Sequence, residues 1–265
     1  MLNYTLLTLG AVAMLFPFLW MVFSSFKPRA EIFAYPPSLW PQTWTLQNYF
    51  NVSDLLNVAQ VYQNTALVTI IKTILQVYTS ALLGYVFGKF RFRGREIIFT
   101  FILLTMILPL EIYVLPLYQM IVKWKLADTH AALIIPGIFS AYATFLFRQF
   151  MFTIPNDLMD AARIDGAGEL YIFHRIILPL CGPVLATTIG FYFMWNWNDF
   201  LWPLIVISSS DKQMMAVALS SFVDQHNTDY GLVMAGATLS VVPVLVVFAM
   251  VQRYVVRGIA LTGLK

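Results

Sequence analysis

Residues 156–183 read NDLMDAARIDGAGELYIFHRIILPLCGP. In the second half of the chain this is the long segment that is rich in charge yet flanked on both sides by apolar runs. Asn156 or Asp157 can cap a helix start, and Ala161 and Ala162 are strong helix formers. Leu158, Ala161 and Ala162 fall at i, i+3 and i+4, so they share one face. Gly166 and Gly168 then break the helix. A second periodic run follows at Leu170, Phe173, Ile176, Ile177 and Leu180, interrupted by Pro179 and Pro183. The spacing predicts a short helix, a glycine turn and an amphipathic helix leading back into apolar sequence. Small alanines let such a helix approach a groove of another protein closely.

The surrounding composition decides what the segment returns to. Of the 265 residues, 60% are hydrophobic and 11% charged, against about 25% charged in soluble domains. The chain reads as an all-α membrane protein, a single transmembrane domain over 1–265, since no polar stretch is long enough for a separate core. The net charge of +3 calls for no nucleic acid. The one cysteine, Cys181, has no internal disulfide partner. The N-terminus has no basic n-region, so it reads as a retained first span.

A helical span needs roughly 20 apolar residues. Six are expected, at about 4–23, 65–90, 97–117, 131–150, 184–207 and 232–256, with the loop 156–183 between the fourth and fifth. Pro17 sits in the first. Between the first and second lies a polar, proline-rich segment with Trp40 and Trp44, suited to an outer interface. Lys72 lies inside the second span. A lone intramembrane lysine faces a bundle interior or snorkels, and snorkelling or partner packing outweighs a transport role here. Six spans put both termini on one side. That side carries Lys89, Arg91, Arg93 and Arg95, then Arg148, Arg163 and Arg175, then Arg253, Arg257 and Lys265. The other carries half as many: Lys27, Arg29, Lys123, Lys125 and Lys212. The richer side is the cytoplasmic one, which places both termini and the loop in the cytoplasm.

Several chemistries are missing. No GxxxxGK[ST] occurs, so the chain itself is not expected to bind ATP. His130, His174 and His226 are scattered, without HExxH or Cys/His ligand spacing, and GxSxG is absent. The chain is not expected to be an enzyme, and no metal or cofactor is expected. The fifth span does carry a polar cluster, Trp195, Asn196, Trp197, Asn198, Asp199 and Trp202. Amides and a carboxylate inside a span need internal partners or water. Trp195, Asn196, Asn198 and Asp199 are candidate solute-pathway residues, since indole rings stack on sugars and the polar groups bond hydroxyls. An aromatic belt at the outer interface explains the same residues, and both readings stay open.

The loop also resembles the EAA loop of permease subunits of bacterial binding-protein-dependent ABC importers. Asp160-Ala161-Ala162, Asp165-Gly166-Ala167, Phe173, Leu178-Pro179-Leu180 and Pro183 match its pattern, with Asp160 where glutamate is usual. Lys27, Glu31, Pro36, Asn48 and Tyr49 resemble the outer loop of the carbohydrate-uptake branch. Trp197-Asn198, Phe200-Leu201 and Pro203-Leu204 resemble its fifth span, and Gln252-Arg253-Tyr254, Gly258 and Gly263 its tail. The chain is most similar to the maltose and glycerol-3-phosphate types. The resemblance implies a bacterial inner-membrane permease moving a sugar or related solute, or alternatively glycerol 3-phosphate or a polyol. It implies three partners: a second, different permease, a dimer of ATP-binding cassette ATPases, and an extracytoplasmic solute-binding protein. Asp160, Ala161, Ala162, Arg163, Asp165, Gly166 and Ala167 would then be the ATPase-coupling residues. In the maltose-type system the other permease makes most solute contacts. An ion-driven secondary transporter would want ionisable residues deep in several spans, where only Lys72 is deep. A structural or insertase-like protein would not need the loop.

Overall fold

The computed structural model describes residues 2–223 and 228–262. His226, Gly263 and Lys265 lie outside the described residues, as do the side chains of Arg253, Tyr254 and Arg257. Every regular element among the described residues is a helix. In chain order they are α1 (Leu2–Ser25), α2 (Arg29–Ile32), α3 (Gln47–Leu55), α4 (Val58–Lys89), α5 (Arg95–Leu104), α6 (Leu110–Lys123), α7 (His130–Ile134) and α8 (Ala141–Thr153). There follow α9 (Asp157–Ile164), α10 (Glu169–Ile172), α11 (Leu178–Leu180), α12 (Gly182–Trp197), α13 (Leu201–Val206), α14 (Met215–Ser220) and α15 (Tyr230–Thr262).

Among the described residues three helices, α1, α4 and α15, are long and apolar enough to cross a membrane, or up to six spans if each of three bent pairs counts as one. The bends have local causes. Residues Arg95–Ile107 and Leu110–Lys123 meet at 103°. Leu108 precedes Pro109, which pushes it out of the helical region, and it is extended at φ −83°, ψ 111°. A bend of 42° separates His130–Gly137 from Ala141–Thr153. There Ser140 is extended, and its hydroxyl accepts from the Ala143 N–H at 3.2 Å, capping a new helix. The third, 81°, falls at Cys181, just ahead of Gly182 and Pro183. By contrast α4 runs for 32 residues with no proline, while α1 contains Pro17 and α15 contains Pro243. The apolar stretch expected from residue 65 is the main part of this longer helix.

The chain divides into two compact units. One comprises 1–65 and 210–245. In it the residues of the proline-rich segment after α1 hold that segment itself. Asn48 Nδ2 donates to the carbonyls of Ser25 and Lys27, both at 2.9 Å. Lys27 is buried, bonds the Ser38 carbonyl and lies 5.0 Å over the Trp20 ring. Glu31 accepts the Gln42 N–H at 2.7 Å and the Thr43 N–H at 3.2 Å. The Gln42 N–H, foremost, holds its carboxyl below the usual carboxylate range.

The other unit comprises 66–209 and 246–265. Its core gathers Val77, Tyr85, Phe147, Met151, Met159 and Phe173, among others. Gly84 and Gly88, four residues apart, turn one face of α4 against Phe147 and Met151 of α8. A Cβ on Gly88 would stand 2.8 Å from that of Met151, so only glycine allows this approach. Arg148, counted above among the loop cations, points inward. It donates to both oxygens of Glu96 at 2.6 and 2.7 Å, and its guanidinium lies 4.0 Å from the centre of the Phe99 ring.

Candidate functional site

The loop forms as a helix, a turn and a return helix. α9 ends in a Schellman turn: Gly166 N–H donates to the Arg163 carbonyl at 3.0 Å, and Ala167 N–H to that of Ala162 at 2.9 Å. Gly166 sits at φ +83°, the left-handed region that such a turn requires. Asp165 contributes its backbone, its N–H donating to the Ala161 carbonyl at 3.1 Å. The start of α9 differs from expectation. No side chain caps it, because Asn156 Oδ1 instead accepts from Lys89 Nζ at 3.0 Å.

The facing of α9 also differs from the simple three-residue face. Met159 is the residue fully buried in the core, and Ala162 and Ala167 pack partly against it. Leu158 and Ala161 turn outward, and Ile164 is 86% exposed. Leu170 and Tyr171 are exposed as well. The outward side of the loop is thus apolar side chains around a small alanine, rimmed by charge. Beside it Ala162, Gly166, Tyr171 and Arg175 line a shallow cavity. Ile164 lay outside the spacing considered in the sequence.

Asp160 and Arg163 engage each other before any partner. Arg163 Nη1 donates to Asp160 Oδ1 at 2.8 Å, while its Nε reaches Glu169 Oε1 at 2.7 Å. Glu169 Oε2 accepts from Tyr85 Oη of α4 at 2.9 Å. The guanidinium of Arg163 holds the Glu169 carboxyl below the usual carboxylate range. Glu169 was missed in the sequence, although it follows Gly168 at the first position of a helix, where a carboxylate is favoured. His174, exposed, bonds Tyr78 Oη at 3.0 Å.

The four candidate pathway residues separate into different roles. Asn196 is buried and donates to Thr73 Oγ1 at 3.1 Å and Gln76 Oε1 at 3.2 Å. Asp199 pairs with Lys72 Nζ at 3.1 Å, and both side chains are largely enclosed. Lys72 neither snorkels nor waits for another protein. Its chain passes over Gly137, where a Cβ would collide with it. Asn198 donates to the Met194 carbonyl of its own helix at 2.8 Å. Trp195 is the one of the four that lines the cavity of about 840 Å³, with Gln76, Tyr113, Tyr142 and Tyr192, and it stacks on Phe191 at 6.1 Å. That cavity sits where α5 bends into α6 and α7 into α8. No group of three or more metal-ligating side chains occurs among the described residues.

Comparison with known proteins matches residues 80–261 to a family described as binding-protein-dependent transport system inner membrane component. Over 98% of its length the chain is 34% identical to the arabinooligosaccharides transport system permease protein AraQ of Halalkalibacterium halodurans, covering 96% of that protein. It is 35% identical to the lactose transport system permease protein LacG of Rhizobium radiobacter, over 97% of this chain and 93% of the relative. It is 32% identical to the sn-glycerol-3-phosphate transport system permease protein UgpE of Escherichia coli, over 97% and 94%. A crystal structure of a bacterial ABC transporter involved in the import of the acidic polysaccharide alginate has a chain of the same fold. Its TM-score is 0.85 at 24% identity, covering 96% of this chain and 95% of that one.

Proposed function

Because the chain belongs to the family of binding-protein-dependent transport system inner membrane components, we propose that it is one membrane-spanning half of an importer for a sugar or related solute. It works beside a second permease, a pair of ATPase subunits and an extracytoplasmic binding protein. The observation that carries this is the build of α9: an eight-residue helix stopped by a left-handed glycine, with Leu158 and Ile164 turned outward. Seated in a cleft of one ATPase, α9 would follow that subunit when ATP closes the pair. The spans would then switch between outward-open and inward-open states. Asp160, Ala161, Ala162, Arg163, Asp165, Gly166 and Ala167 form or shape the docking helix. The basic residues around the loop and in the tail support a cytoplasmic position for both.

The aromatic cavity beside Trp195 is the proposed place where solute passes this subunit. Tryptophan offers a flat apolar face to a sugar ring, and the exposed Tyr113 and Tyr142 of the same lining offer hydroxyls. Replacing Trp195 by alanine is expected to raise the apparent KM for uptake up to about tenfold, from the roughly 0.5–1.5 kcal/mol that an aromatic stack contributes. Assembly should not change, because Trp195 is 67% exposed. Uptake kinetics identical to the parent would remove Trp195 from the pathway.

Affinity purification from native membranes, with mass spectrometry of what accompanies the chain, tests the whole reading. A co-purifying ATPase, a second permease and a secreted binding protein would support it, and the ligand of that binding protein would name the solute. A chain that came out alone and moved solute in liposomes without ATP would refute it.

A further inference from the structure

We propose that α4 is the element that carries the movement of α9 to the solute cavity, gripping the loop at two points one helical turn apart. This rests on the coupling role proposed above. Tyr85 and Lys89 stand at i and i+4 and share a face of α4. Lys89 holds the entrance to α9, donating to the Ile154 carbonyl and to Asn156 Oδ1. Tyr85 holds the exit through Glu169, which in turn grips Arg163. Tyr85 itself is fixed: it is buried, edge-on to Phe90 at 5.2 Å and tilted on Phe173 at 5.4 Å. Both ends of α9 are therefore fastened to one other helix.

That helix is also the stiff one. Toward α12, the path from α9 crosses the π-helical turn Phe173–Ile177 and the 81° bend at Cys181, two interruptions of the regular α-helix. α4 has no proline and no break, and α8 is locked to it through Gly84 and Gly88. From Lys89 back to Lys72 the helix covers about 26 Å at 1.5 Å per residue. There Lys72, Thr73 and Gln76 contact Asp199 and Asn196 of the fifth span, and Gln76 lines the cavity. A shift of α9 reaches the solute cavity along α4 without meeting a joint.

The test places spin labels at Ile74→Cys on α4 and Ile107→Cys at the α5–α6 bend, both sites well exposed. Cys181 is fully buried and takes no label. The complex is purified with its ATPase, partner cysteines are blocked, and ATP with vanadate is the probe. The parent should show a change in label separation of about 2 Å or more, the scale of helix shifts in switching proteins. In the double variant Lys89→Met with Glu169→Gln, that change should be lost, while the ATPase still co-purifies and still hydrolyses ATP. Tyr85→Phe, which keeps the ring packing, should give a smaller loss in the same direction. An undiminished change in the double variant overturns the proposal. A parent that brings no ATPase and shows no change overturns the coupling role itself.

Discussion

Gly166→Val is expected to leave the chain inserted in the membrane and to cut ATP-driven uptake by roughly 5–30-fold, the ratio that one or two kcal/mol commands. The cause is conformation and not space. Gly166 is at φ +83°, yet a Cβ built there meets nothing within 4 Å. An L-residue in the left-handed region costs about 1–2 kcal/mol, and a β-branched one is worse placed still. Valine would open the Schellman turn, release the Ala162 and Arg163 carbonyls and re-aim the chain before Glu169. Since Arg163 then loses its line to Glu169, the exit of α9 would come away from Tyr85 of α4, leaving only the Lys89 hold at its entrance. Gly166→Asn is the informative control, because asparagine tolerates the left-handed region and the open space admits its side chain. It should retain most uptake. The check is uptake and ATPase stimulation per inserted complex. Wild-type values for the valine variant would show that the turn is not what aims the helix.

Asp199→Ala is expected to be the most destabilising single change in the membrane part. It leaves the Lys72 ammonium enclosed with no carboxylate within reach. Removing one partner of a buried pair costs about 3–5 kcal/mol. Asp199→Leu combined with Lys72→Met should recover most of that loss, since replacing a buried pair by apolar side chains of similar volume is often neutral or stabilising. The measurement is the thermal midpoint and the yield of the purified complex for the single and double variants. If the single variant were as stable as the parent, water or another group would be compensating Lys72. If the double variant were stable but transported nothing, the pair would serve the transport cycle beyond holding the fold.

These two sites show what one sequence discloses and what it withholds. The helical membrane class was legible because hydropathy needs no knowledge of neighbours: long apolar runs with few charges have few other folds open to them. The glycine turn after Ile164 was legible for the same local reason. The partner of Lys72 was not, because Asp199 stands 127 residues away and no periodicity links them. The 103° bend was hidden in an apolar run marked by Pro109, Glu111 and Pro116, and proline alone does not say whether a helix kinks or restarts. Asn196 and Asp199 drew notice as polar residues in an apolar span. Their real partners lie on α4, where Thr69, Lys72, Thr73 and Gln76 form a buried polar stripe that the average hydropathy of the helix conceals. In the loop, Asp160, Ala161 and Gly166 stood out by spacing, whereas Ile164 and Glu169 gained their parts only once the turn had aimed them.

The separation between Lys72 and Asp199 also has a meaning in time. A ribosome adds roughly 5–20 residues per second, so Asp199 is synthesised on the order of 10 s after Lys72. During that interval the nascent chain holds an ammonium that nothing yet neutralises. A chain cut short before Asp199 never leaves that condition. The pair therefore closes late: an early helix waits for a residue 127 positions downstream, and the contact can form only once the fifth span has been made.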